Sequence, residues 1–212
     1  MISYEQRLRS SPELVLKEAS LYFSHKGDLY QTLQDLSRRL DEAGIPYALI
    51  GGLALAQHGF VRMTEDINIL LTAEGLQAFK AQVLGHGYVL AFSGAKKTFR
   101  ATDTGVRIEV ITSGEYPGDG LPKPVSFPDP AEVSVEVAGL RVISLEKLIE
   151  LKLASGMTAA HRRRDLADAQ DLIRALQLDP EFSQKLDASV REMYAQLWDE
   201  AQAGDRLVEG RR

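Results

Sequence analysis

The chain has 212 residues, 44% of them hydrophobic, and a formal net charge of −5. That is enough apolar material for a globular core, so a globally disordered chain is excluded. There is no cysteine, which excludes disulfides and thiolate zinc sites, and the acidic balance excludes a broadly basic nucleic-acid coat while allowing a local basic patch.

The opening MISYEQRLRSS has no apolar signal core, and no window approaches the length of a membrane span. A soluble, cytoplasmic protein without a membrane partner is therefore expected. Ser11-Pro12-Glu13 reads as a helix start, serine as N-cap and proline just inside, with a helix to about Phe23. Leu29, Leu33, Leu36 and Leu40 recur at helical spacing and predict an amphipathic helix from Asp28 to Ala43. Gly44 ends it and Pro46 bars its continuation. Both helices read as packing elements.

Tyr47 to Leu71 reads as strand, Gly51-Gly52 turn, helix and strand. Thr72 caps a further helix to about Leu84. Strand-like runs follow at Tyr88–Phe92, Lys97–Ala101 and Val106–Ile111, then an irregular loop from Ser113 to Pro130. Val133–Val137 and Leu140–Ile143, joined by Ala138-Gly139, form a hairpin. From Ser144 the chain is helical: one helix to about Ser155-Gly156, one from Arg163 to Leu176, and a last one opened by Asp179-Pro180 and containing Trp198. The tail from Gly204 reads as polar and frayed. The expected fold class is α+β, a mixed sheet of about five or six strands flanked by helices. Residues 1–143 would form the core and residues 144–212 a helical C-terminal region packed on it.

Three features converge on chemistry. Paired glycines before a helix start let another group approach the backbone, and free N–H groups there favour phosphate. In the strand from Asp66, the side chains of Asp66 and Asn68 share a face, and a polar pair on an apolar strand asks for a ligand, a metal or water. Glu109 interrupts a second apolar strand, and if the two strands are neighbours it can approach Asp66. Acidic oxygens from two strands suit a hard cation such as Mg²⁺, and the chemistry would be phosphoryl or nucleotidyl transfer.

Two helical residues add to this. Lys152 falls near the centre of the apolar face formed by Leu145, Leu148, Ile149, Leu151 and Leu153, with Glu146, Lys147 and Glu150 opposite. It either reaches a phosphate or snorkels past the core. Asp165 is placed to orient Lys152 or Arg162, or to serve its helix dipole, and Asp168 lies at the flank. His25, His58, His86 and His161 are scattered without metal-ligand spacing, and His58 reads as structural.

The segment IGGLALAQHGFVRMTEDINIL resembles the signature of the DNA-polymerase-β-like nucleotidyltransferase superfamily. Its finer pattern, with VAGLRVISLEKLIELKLAS and RRRDLADAQDLI downstream, is similar to the AbiEii-type and minimal nucleotidyltransferase branch. The resemblance spans roughly Asp41 to Leu176. It implies a nucleotidyltransferase-like fold and transfer of a nucleoside monophosphate from a nucleoside triphosphate to an acceptor, tRNA or protein in the toxins of that branch, which pair with an antitoxin partner. By resemblance, Gly51 and Gly52 would meet the triphosphate, with Arg62, Thr64 and Asp165 also on the nucleotide side. Asp66, Asn68 and Glu109 would hold one or two Mg²⁺ ions, and Lys152 would approach the nucleotide.

Two positions depart from the pattern. Glu109 stands for a shorter aspartate and keeps its charge. Asn68 stands for the second metal aspartate and loses one. A weakly active enzyme, a nucleotide-binding or regulatory relative without turnover, and a silencing replacement all fit. An antibiotic adenylyltransferase is the remaining alternative, and it would need an acidic pocket such as the loop from Glu115 to Asp119 offers. Arg162-Arg163-Arg164, with Lys96, Lys97 and Arg100, tilts the expectation to a polyanionic acceptor.

Overall fold

A computed structural model describes residues 3–209. Its strands are β1 (Ala48–Ile50), β2 (Asp66–Leu71), β3 (Tyr88–Leu90), β4 (Thr98–Ala101), β5 (Arg107–Thr112), β6 (Ser134–Val137) and β7 (Leu140–Ile143). They form one mixed sheet in the order β3-β4-β5-β2-β1-β7-β6. The pairs β2–β5 and β1–β7 are parallel and the others antiparallel. Among the described residues the sheet thus has seven strands, more than the five or six expected but one for each of the seven strand-like runs named in the sequence. Runs as short as β1 and β3 persist because neighbouring strands hold them, whatever their own propensity.

The helices are α1 (Tyr4–Ser10), α2 (Pro12–Phe23), α3 (Asp28–Glu42), α4 (Gly51–Gln57), α5 (Ala73–Gln82), α6 (Pro130–Val133), α7 (Leu145–Thr158), α8 (Arg163–Ala175) and α9 (Arg191–Glu209). The expected caps form: Ser11, Thr72 and Ser144 each accept a hydrogen bond from a backbone N–H of the first turn. Leu29, Leu33, Leu36 and Leu40 of α3 are all buried. Ala138 and Gly139 both take positive φ, as a tight two-residue hairpin requires. Helix α1 was not anticipated. It starts with a capping box between Ser3 and Gln6 and brings Glu5 to the sheet.

The C-terminal half departs from its helical-wheel reading in three places. Helix α7 does not stop at Gly156. A Cβ there would lie 2.5 Å from Leu166 Cγ, so this glycine serves the close crossing of α7 and α8. Glu150, expected on the solvent face, is buried. Two 3₁₀ turns, Pro180–Lys185 and Ala188–Val190, replace the start of the last helix, and the Asp187 N–H between them donates to Glu150 Oε2 at 2.7 Å. The tail expected to fray from Gly204 has helical backbone to Glu209, and residues 210–212 lie outside the described residues, as do Met1 and Ile2. Among the described residues, no helix is long and apolar enough to cross a membrane.

Neighbours β2 and β5 set up the site. Burial alternates along both: Ile67, Ile69, Ile108 and Val110 are buried, while Asp66, Asn68, Arg107 and Glu109 are half-buried on the other face. The register pairs Asp66 with Arg107 and Asn68 with Glu109. The expected approach of Glu109 to Asp66 is therefore diagonal, and the residue directly opposite Asp66 is a cation.

Candidate functional site

A cavity of about 720 Å³ opens on this polar face. The end of β1 and start of α4, residues 62–68, β5, the loop at 115–120, α7 and the start of α8 line it. All the candidates named from the sequence reach it: Gly51, Gly52, Arg62, Thr64, Asp66, Asn68, Glu109, Lys152 and Asp165. Arg107, Arg162 and Arg164 line it too.

The glycine pair is explained by what lies against it. Gly51 has φ +69°, and a Cβ on it would lie 3.1 Å from Asn68 Nδ2. A Cβ on Gly52 would lie 2.9 Å from Thr64 Cβ. The turn is thus bare so that the polar side chains around β2 can pack onto it. Helix α4, which follows, has only seven residues.

Asp66 is already engaged on both oxygens. Thr64 Oγ1 donates to Oδ1 at 2.9 Å, and Arg107 Nη2 donates to Oδ2 at 2.9 Å. On its other side Arg107 Nε lies 3.7 Å from Glu5 Oε1, is buried and makes no hydrogen bond. Burial works against the Arg107 charge, but the hydrogen bond and charge of Asp66, with Glu109 and Glu5, outweigh it and raise its pKa. Glu109 makes no ion pair or hydrogen bond through its side chain among the described residues.

Lys152 does not extend into the cavity as a free cation, nor does it snorkel. It is buried, with Nζ 2.9 Å from Asp165 Oδ1 and 2.7 Å from Asp168 Oδ2. Ser155 Oγ donates to the other oxygen of Asp165 at 2.7 Å. Asp168, read from the sequence as a flanking or dipole residue, is the centre of this network. It is 2% exposed and accepts a bidentate pair from Arg62 Nε and Nη2 at 2.7 and 2.8 Å. Burial pushes its carboxyl up, but the Arg62 hydrogen bonds and the Lys152 charge hold it below the usual carboxylate range. Arg62 is thus tied to α8 rather than free for a ligand, and the network fastens the approach to β2 onto the C-terminal helices.

The expected basic cluster divides. Arg100 donates to Glu5 Oε2 at 2.9 Å, and Lys97 pairs with Glu115. Arg162 and Arg164 remain exposed at the cavity rim without an ion pair among the described residues. His58 is structural, its Nε2 donating to Ile143 O at 2.7 Å. Arg107 went unrecognised as a site residue, although its place two residues before Glu109 on one strand face was legible.

The fit to a resident metal centre is poor. A two-ion site needs several anionic oxygens converging on the cations. Here there are two carboxylates and a neutral amide, and one carboxylate is ion-paired to a guanidinium. Among the described residues, no group of three or more histidine, aspartate or glutamate side chains is placed to hold an ion.

No protein-family model matches the chain, and no curated protein does. Solved structures similar to it include ANT(2″)-Ia in complex with adenylyl-2″-tobramycin, at 16% identity over 77% of this chain and 92% of that one, TM-score 0.46. JHP933 from Helicobacter pylori is 17% identical over 85% of this chain and 94% of that one, TM-score 0.43. An antigenic nucleotidyltransferase-like protein from Paracoccidioides brasiliensis is 16% identical over 80% and 87%, TM-score 0.48. At such distances, function is argued from the site itself.

Proposed function

We propose that the cavity binds a nucleoside triphosphate and that the chain is a nucleotidyltransferase, moving a nucleoside monophosphate to an acceptor. One observation carries the reading. A glycine turn, a sheet face bearing Asp66, Asn68 and Glu109, and two arginines without an ion pair among the described residues converge on one cavity of about 720 Å³, a volume suited to a nucleotide. An acceptor hydroxyl would attack the α-phosphorus. The new O–P bond forms, the α–β anhydride bond breaks, and pyrophosphate leaves. Glu109, the carboxylate without an ion pair or hydrogen bond among the described residues, would take the hydroxyl proton. Arg162 and Arg164 would meet the charge of the leaving pyrophosphate. Magnesium would enter as the counter-ion of the triphosphate, as part of the substrate.

The same rim arginines favour a polyanionic acceptor, tRNA before protein. An AbiEii-type toxin restrained by an antitoxin partner is the finer form of this reading. An aminoglycoside-like polycation is less favoured, because Glu115 and Asp119 of the adjacent loop are neutralised by Lys97 and Lys123. The test is incubation with each labelled nucleoside triphosphate, Mg²⁺ and total tRNA or cell lysate, for this sequence and for Asn68→Asp. Labelled tRNA or protein is expected, and no labelled product from either form sinks the enzyme reading.

The Asp66–Arg107 pair favours a second reading, a nucleotide-binding module without turnover. It expects calorimetric binding of a triphosphate, no product, and no gain from Asn68→Asp.

A further inference from the structure

The strand register puts a guanidinium where a carboxylate site would be expected to receive a metal ion. Arg107 lies directly opposite Asp66, its Nη2 2.9 Å from Oδ2. Glu5 of α1 lies behind it at 3.7 Å, so the cation is held from both sides. We infer that Arg107 acts as a built-in cation in place of a resident metal, so that this pocket binds a nucleoside triphosphate whether or not a magnesium counter-ion accompanies it. The inference rests on the nucleotide reading above and deepens it.

Charge pairing supports it. Arg62, Lys152, Asp165 and Asp168 neutralise one another, as do Arg107 and Asp66. What remains without an ion pair on the lining, among the described residues, is Glu109 against Arg162 and Arg164. A site built around two dications would be left with an excess of negative charge. This one is left with an excess of positive charge, which suits a polyanion. Asn68 belongs to the same arrangement. It stands opposite Glu109, and its neutral amide keeps a dication from finding a second free carboxylate. Of the Arg107 nitrogens, only Nη2 is hydrogen-bonded within the described residues, which leaves a guanidinium donor for a phosphate oxygen.

The test is calorimetric titration of the full chain with ATP, GTP, CTP and UTP in turn, once in EDTA and once in excess Mg²⁺. At least one triphosphate is expected to bind in EDTA within about tenfold of its affinity in Mg²⁺. A loss greater than that on removing the metal overturns the inference while leaving the nucleotide reading standing. Binding in neither buffer overturns both. Arg107→Gln is expected to weaken metal-free binding by about tenfold or more, and Arg107→Lys, which keeps the charge, to restore most of it. Unchanged metal-free binding in a folded Arg107→Gln protein overturns the inference. Independently, Mn²⁺ alone titrated into nucleotide-free protein is expected to show no paramagnetic-resonance signature of a protein-held ion, and tight Mn²⁺ binding by the unmodified chain overturns the inference without any variant.

Discussion

Lys152 and Asp168 meet across the packing of α7 and α8, Nζ 2.7 Å from Oδ2, with side chains only 7% and 3% exposed. Arg62 grips the same carboxylate from the segment that leads into β2. Replacing Asp168 would leave two cations facing a site that no longer balances them. Breaking such a buried pair costs about 3–5 kcal/mol. Asp168→Asn, close in shape and without the charge, is therefore expected to lower unfolding free energy by that order in a urea titration. A loss below about 1 kcal/mol would place this network among ion pairs of little net worth.

The same carboxylate gives the protein an acid limit. Its folded pKa is held below the unfolded value of about 3.9, mainly by Arg62 and Lys152 against the opposing effect of burial. A depressed folded pKa contributes stability that is fully present above the unfolded value and is lost as pH falls through the folded one. Stability should thus drop on acidification below about pH 4. In Asp168→Asn this part of the slope should be missing, and thermal melts at stepped pH will show whether it is.

Gly52 has no room for a side chain. An added Cβ would lie 2.9 Å from Thr64 Cβ and 3.1 Å from Thr64 Oγ1, the hydroxyl that donates to Asp66. Overpacking of this kind costs about 1–3 kcal/mol. Gly52→Ala is expected to lose stability in that range and to weaken triphosphate binding, because displacing Thr64 also releases Asp66. Normal affinity in a destabilised variant would mean that the turn shapes the fold but not the ligand site.

Arg162 and Arg164 present the opposite case. Both are exposed at the rim and without an ion pair among the described residues, so their removal should leave stability within about 0.5 kcal/mol. The double variant Arg162→Ala/Arg164→Ala is nevertheless expected to weaken triphosphate binding by about tenfold or more and to flatten its salt dependence. An unchanged dissociation constant would remove both from the proposed site.

Much of the site could be read from local pattern. Asp66, Asn68 and Glu109 stand out because each interrupts an apolar alternation, and the two strands do align their polar positions on one face. Gly51-Gly52 stands out as a turn, although the pattern could not show that its bareness serves Asn68 and Thr64. Lys152 was conspicuous as a charge in an apolar helix face. Its fate depended on Asp168, sixteen residues away on another helix, whose carboxylate looked like an ordinary surface charge.

Taken alone, the sequence determined the order of the strands and of the helices other than α1 and α6, the caps of α2, α5 and α7, and which side chains share a strand face. These depend on periodicity and on hydrogen bonds within a few residues. Only the tertiary structure decided that Arg107 faces Asp66, that Lys152 is spent on two aspartates, that Glu150 is buried under two 3₁₀ turns, and that Gly156 is a packing contact rather than a helix stop. Periodicity says which way a side chain points along its own element. Its partner is set by strand register and by which helix packs against which, and those are properties of the assembled chain.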